Sequence, residues 1–215
     1  MKKLIIPLLV LTLVAAVAYI FRDSLREGAE ARLTQNMFVP ASEATFDIGP
    51  GLGTHFPGVR ATFAGREITL LNEFAGPNGV ILIALRSVDW CPYCRAQLIE
   101  LQQNKALFDA NGIGMVAITY DDPAHHRAFT ASHALEIPLL ADTDAITFKT
   151  LGILNPDYQP GHDNYGIPHP GMIIVSSEGI VRGKLFVEQY SQRVGARESL
   201  GFAKKALDLQ SPFSR

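Results

Sequence analysis

The chain has 215 residues and a formal net charge of −2, with 19% of its residues charged. That length suits one ordinary domain plus an extension, and the balanced charge excludes an electrostatic nucleic-acid binder or an acidic tail. Only two cysteines are present, so a disulfide framework stapling distant parts of the fold is excluded as well.

The amino terminus stands apart. Lys2 and Lys3 precede an apolar run from Leu4 to Phe21, which ends at Arg22. The run approaches the ~20 residues that span a bilayer core and exceeds the ~7–15 of a signal-peptide core. Residues 1–21 are therefore expected to form a hydrophobic helix that anchors the chain. A signal cleaved at Ala16-Val17-Ala18, leaving a secreted or periplasmic body, is the second reading. Arg22, Arg26 and Arg32 nearly offset Lys2 and Lys3 in the positive-inside count. The body is expected outside the cytoplasm. Residues 22–57 read as a linker, with a polar stretch over 23–35 that continues as a helix and a flexible Gly49-Pro50-Gly51-Leu52-Gly53.

Residues 58–215 form the expected domain. Arg60 to Phe63 and Glu67 to Leu71 predict a hairpin across Ala64-Gly65-Arg66. Val80 to Leu85 is an apolar run of strand length without a polar interruption, which predicts a central strand buried on both faces. Pro92 to Ala110 predicts a helix with a stripe of Leu98, Leu101, Leu107 and Phe108, ended by Asn111-Gly112. A strand over 114–119 follows. A helix opened by Asp121-Asp122-Pro123 then runs to about His133, with His125 and His126 read as exposed. Next come a short strand over 137–140 and a short helix over 142–150. A hairpin pairs 172–175 with 180–186, and a last helix spans about 196–209. This order predicts an α/β fold, a mixed central β-sheet flanked by helices.

Both cysteines lie in Trp90-Cys91-Pro92-Tyr93-Cys94, where the buried strand turns into a helix. Pro92 suits the first helical position, because its missing N–H has no partner there. The helix end favours a thiolate, so Cys91 is expected to be the nucleophile and Cys94 the shielded resolving thiol. A zinc site would need a second Cys/His pair at ligand spacing, and none appears. No cofactor is expected. Arg86 and Arg95 flank the dithiol as candidates for lowering the Cys91 pKa or guiding an anionic substrate, and Trp90 and Tyr93 border it.

The run Asp89 to Arg95, the Asp121-Asp122-Pro123 helix start and the Pro170-Gly171-Met172-Ile173-Ile174-Val175 strand resemble the thioredoxin superfamily. Over roughly 58–208 the body resembles its alkyl hydroperoxide reductase/thiol-specific antioxidant (redoxin) branch. The resemblance implies a thioredoxin-like fold and a cis-proline at Pro170 facing the dithiol, with His169 beside Cys91. An imidazolium there would stabilise the thiolate, and a neutral ring would relay protons. Three departures stand out. Leu85 replaces the buried acid of the thioredoxin pattern six residues before Cys91. Val88 replaces the Thr or Ser of the peroxiredoxin pattern, with Ser87 one position off. The stretch 155–168, with Asp157, Tyr158, His162 and Tyr165, is a long insertion that reads either as a lid or as an ordinary loop.

Three functions compete. The first is a membrane-tethered thiol–disulfide oxidoreductase acting on protein or small-molecule thiols and disulfides. The second is a peroxiredoxin-like hydroperoxide reductase. The third is a copper metallochaperone with Cys91, Cys94 and His169 as ligands.

Overall fold

The structure is a computed structural model and describes residues 21–209. The apolar run expected as an anchoring helix lies outside them except for Phe21. Among the described residues, no helix is long and apolar enough to cross a membrane. The chain divides into two compact units, Met1–Asn36 and Met37–Arg215. In the first, α1 (Arg22–Thr34) is polar and carries an Arg26–Glu30 ion pair one turn apart, at 2.8 Å.

The second unit begins at Met37, well before the expected boundary at 58. Met37 is buried, and Phe46 and Ile48 pack against the core. The Gly/Pro-rich stretch is no free linker either. The Gly53 N–H donates to the Val181 carbonyl, and the Val181 N–H donates to the Thr54 carbonyl. Composition signalled irregular backbone correctly but not its attachment, because main-chain pairing leaves no side-chain signature.

The strands are β1 (Phe38–Val39), β2 (Ala61–Phe63), β3 (Arg66–Ile68), β4 (Gly79–Ala84), β5 (Ile113–Thr119), β6 (Leu139–Ala141), β7 (Gly171–Ser176), β8 (Val181–Phe186) and β9 (Arg193–Val194). Two hydrogen-bonded groups, β3-β2-β6-β5 and β4-β7-β8, carry the mixed sheet. They meet where the Leu85 N–H, just past β4, donates to the Ile118 carbonyl of β5. The pair β5–β6 is parallel, while β4–β7 and β7–β8 are antiparallel. Separately, β1 pairs with β9 in parallel. The β2–β3 hairpin turns on two residues, Ala64 (φ 49°) and Gly65 (φ 79°), one fewer than expected. Two positive φ values match the twist of the flanking strands.

The expected single helix over 92–110 is two, α2 (Pro92–Gln103) and α3 (Lys105–Ala110). Asn104 separates them, its side-chain amide donating to the Glu100 carbonyl at 2.8 Å. Such local bonding competes with the helical ladder. The break shifts the phase, so Leu107 is exposed while Phe108 stays buried. The remaining helices are α4 (Pro123–His133), α5 (Ile146–Thr150) and α6 (Ala196–Ala206).

Every residue of β4 is buried, and alternate ones enter opposite cores. Ile81 and Ile83 pack in the cluster that holds Leu98, Leu101 and Phe108. Val80, Leu82 and Ala84 pack in the cluster that holds Phe148 and Ile173. Burying a Leu or Ile side chain contributes about 1.5–3 kcal/mol, so a strand anchored on both faces cannot shift without large loss. That rigid strand delivers the cysteine loop.

Candidate active site

Cys91 is the N-cap of α2, with extended backbone (φ −91°, ψ 104°), and its sulfur accepts the Cys94 N–H at 3.3 Å. Pro92 occupies the first helical position as expected. The two sulfurs are 2.6 Å apart, with Cys91 donating to Cys94. The pair is therefore arranged as one dithiol. Cys91 is 1% exposed and Cys94 0%. Cys91, unlike Cys94, lines a cavity of about 500 Å³. Access to the dithiol from that cavity runs through Cys91.

The contacts that favour an anion fall on the other sulfur. Cys94 accepts the Arg86 backbone N–H at 3.3 Å and the Arg193 guanidinium Nη2 at 3.4 Å. Burial alone would push the Cys94 thiol up. The Cys91 S–H and Arg193 outweigh it and bring Cys94 down to about 5. Cys91 is pushed up, first by its hydrogen bond to Cys94 and then by burial. The expectation was a thiolate favoured on Cys91 by the helix end; the contacts that favour an anion fall on Cys94 instead. A full cation and a donated S–H act on Cys94 at close range, whereas the helix end offers Cys91 only partial charge.

Arg193 was not singled out in the sequence. Its place in β9, paired with a strand more than 150 positions upstream, leaves no local signal. Arg95, which was singled out, is 8% exposed and donates to the Asp89 carbonyl. It braces the loop that carries the dithiol. Arg86 extends its guanidinium between two rings, 4.9 Å from the Trp90 centroid and 4.8 Å from that of Tyr190. Tyr93 meets the same Tyr190 edge to face at 6.1 Å. The Trp90 indole N–H donates to the Tyr120 hydroxyl at 3.0 Å. The cavity mouth is thus aromatic, with one cation held between rings.

His169 and Pro170 line the same cavity as Cys91. The His169 ring stands edge-on to Phe46 at 5.1 Å, and burial lowers its pKa. Of the two expected roles, the neutral ring fits and the imidazolium does not. The expected cis bond at Pro170 is trans, since no cis peptide occurs among the described residues. The His169 N–H donates to the Ile153 carbonyl, and the chain passes straight into β7, extended backbone that a trans bond accommodates. In the 155–168 insertion, Asn155, Asp157, Tyr158 and Pro168 line the cavity, while Tyr165 packs under Lys149. The two ends of the insertion belong to the site, Ile167 beside Pro168 is buried, and the middle, 159–163, is exposed.

A second buried network was also missed. The Asp121 carboxylate accepts the Val88 N–H at 2.7 Å and the Thr119 hydroxyl at 3.0 Å. The Thr119 hydroxyl also contacts His126 Nε2 at 2.7 Å. His126, read as exposed, is buried, and desolvation lowers its pKa. Ser87 caps the same loop by accepting the Asp89 and Trp90 N–H groups, so its hydroxyl is committed to the backbone. Among the described residues, no group of three His, Cys, Asp or Glu side chains is disposed to hold a metal ion. Cys91, Cys94 and His169 therefore do not make the three-ligand set that the copper reading requires.

A family model described as the AhpC/TSA family matches residues 52–184. The 1-Cys peroxiredoxin PER1 of Hordeum vulgare is 22% identical over 119 residues, covering 52% of this chain and 53% of that protein. This chain thus spans about half the length of that relative. Alkyl hydroperoxide reductase E of Mycobacterium tuberculosis is 22% identical over 117 residues, 54% of this chain and 72% of that protein. Among solved structures, peroxidoxin BcpB of Mycobacterium tuberculosis superposes with a TM-score of 0.61 at 14% identity, covering 77% of this chain and 99% of that one. Reduced Prx3 of Vibrio vulnificus gives 0.62 at 21% identity, covering 72% and 99%. The likeness establishes the thioredoxin-like α/β fold expected from the sequence.

Proposed function

Because the chain belongs to the AhpC/TSA family, we propose that it is a thiol peroxidase that reduces hydroperoxides with the Cys91–Cys94 dithiol. From the sequence, disulfide exchange ranked first and peroxide reduction second. The family match and the peroxidase names of the relatives reverse that order. Exchange with thiols becomes the half-reaction that restores the dithiol.

The observation that carries this reading is the division of labour between touching sulfurs, one lining the cavity and the other holding the charge. Cys91 attacks the hydroperoxide oxygen and the O–O bond breaks. Its proton shifts to the Cys94 sulfur, the departing alkoxide takes up a proton from solvent in the cavity, and an alcohol and a sulfenic acid on Cys91 result. Cys94 gives its proton back to solvent, and its thiolate then attacks the Cys91 sulfur. Hydroxide leaves, takes up a solvent proton and becomes water, and the disulfide closes. Two electrons have moved from the dithiol to the hydroperoxide. The Arg86 cation between Trp90 and Tyr190 keeps positive charge at the mouth through which the substrate enters. The apolar run over residues 4–21 tethers the chain to a membrane, with the body outside the cytoplasm.

The pH dependence tests this reading. Above about 5 the Cys94 thiol has lost its proton and can take that of Cys91. Hydroperoxide consumption by the reduced chain should rise through about pH 5 and stay level through neutrality. A rate that climbs only near ~8.5, where an ordinary thiol ionises, would remove the proposed role of Cys94.

A further inference from the structure

Arg193 is 1% exposed, and no carboxylate pairs with it among the described residues. Its Nη1 donates to the Tyr190 and Gln192 carbonyls, its Nη2 to Cys94, and its Nε has no partner. Glu100 of α2 is turned to the Ala196 N–H instead. The Gln97 Oε1 is likewise buried without a partner. The Arg193 main chain is fixed through its N–H to the Met37 carbonyl at 2.8 Å and through the β1–β9 pairing. The guanidinium has no ready path to solvent, and among the described residues the group able to carry negative charge that it contacts is the Cys94 sulfur.

Closing the disulfide removes that anion. The dithiol, with Cys91 protonated and Cys94 ionised, loses two electrons and one proton, and both sulfurs become neutral. Arg193 stays buried and loses its counter-charge. An unpaired buried cation is costly, so the penalty falls on the oxidised form alone. A couple whose reduced form is selectively stabilised is a strong oxidant.

We propose that Arg193 is a positioning residue of the redox couple, which favours the dithiol over the disulfide and makes the oxidised chain a stronger oxidant than the same couple without a buried cation. The inference rests on the peroxidase reading for what oxidises the dithiol, and it deepens that reading by assigning the residue that sets the position of the couple.

The test uses no hydroperoxide, so its failure is separate from failure of the peroxidase reading. The wild-type chain, Arg193→Lys and Arg193→Met are each equilibrated with mixtures of reduced and oxidised glutathione, and the dithiol-to-disulfide ratio is read by mass after thiol trapping. Arg193→Met should shift the equilibrium at least about tenfold toward the disulfide, which is about 30 mV for a two-electron couple. Arg193→Lys, which keeps a cation, should fall between the two. An equilibrium unchanged in folded Arg193→Met, or shifted toward the dithiol, overturns the proposal. If that variant does not fold, the wild type still decides by denaturant unfolding in its two redox states. The reduced chain should be the more resistant, and equal or greater resistance of the oxidised chain overturns the proposal.

Discussion

Replacing Cys91 by serine should abolish hydroperoxide turnover, with a fall on the order of 10³-fold or more, as expected when a reacting nucleophile is lost. Cys91 lines the cavity, and Cys94 behind it is completely buried. A serine hydroxyl cannot attack a peroxide oxygen at neutral pH. The remaining Cys94 would keep its cation and its backbone donor, so the variant should still hold a thiolate while turning over no substrate. Peroxide consumption and thiolate absorbance, measured on the same sample, check the pair of outcomes. Undiminished turnover in Cys91→Ser would transfer the attacking role to Cys94.

Replacing Cys94 by serine should stop cycling in a different way. One equivalent of hydroperoxide is consumed per chain, and the Cys91 sulfenic acid then persists, because no neighbouring sulfur can condense with it. A sulfenic-acid trap should label Cys91 in near-stoichiometric yield, whereas the wild type gives almost none. The pH midpoint of that single turnover should leave the value near 5 that belongs to Cys94. It should move up toward the ordinary thiol range of ~8.5. A variant that cycles normally would show that an external thiol resolves the sulfenic acid. The short Cys91–Cys94 contact would then be incidental to the reaction.

Much of this arrangement is legible in the residue order. The uninterrupted apolar run before the dithiol gives a strand buried on both faces, and Pro92 marks where the helix begins. Asp122 and Pro123 likewise mark the start of α4, where the Asp122 side chain accepts the Ala124 N–H. These signals are local, and local chemistry sets them. What escaped depends on partners distant in the chain. Arg193 meets Cys94 across 99 positions, and Asp121 meets the Val88 N–H across 33. Neither contact leaves a spacing to read. The contacts that favour an anion on Cys94 went unseen for the same reason. A helix end can be seen in sequence, but a cation brought in by a two-residue strand cannot. His126 was misread because a polar residue on an amphipathic helix is usually exposed, and the Thr119 hydroxyl that accommodates it comes from another strand.

The most direct measurement of the central claim is the mass of the reduced chain after one equivalent of hydroperoxide, followed by peptide mapping. The account predicts the loss of two hydrogens, with Cys91 and Cys94 found in a single internally linked peptide and one alcohol formed per link. A chain that stays reduced while the hydroperoxide persists, or one that gains oxygen without forming the link, would contradict it.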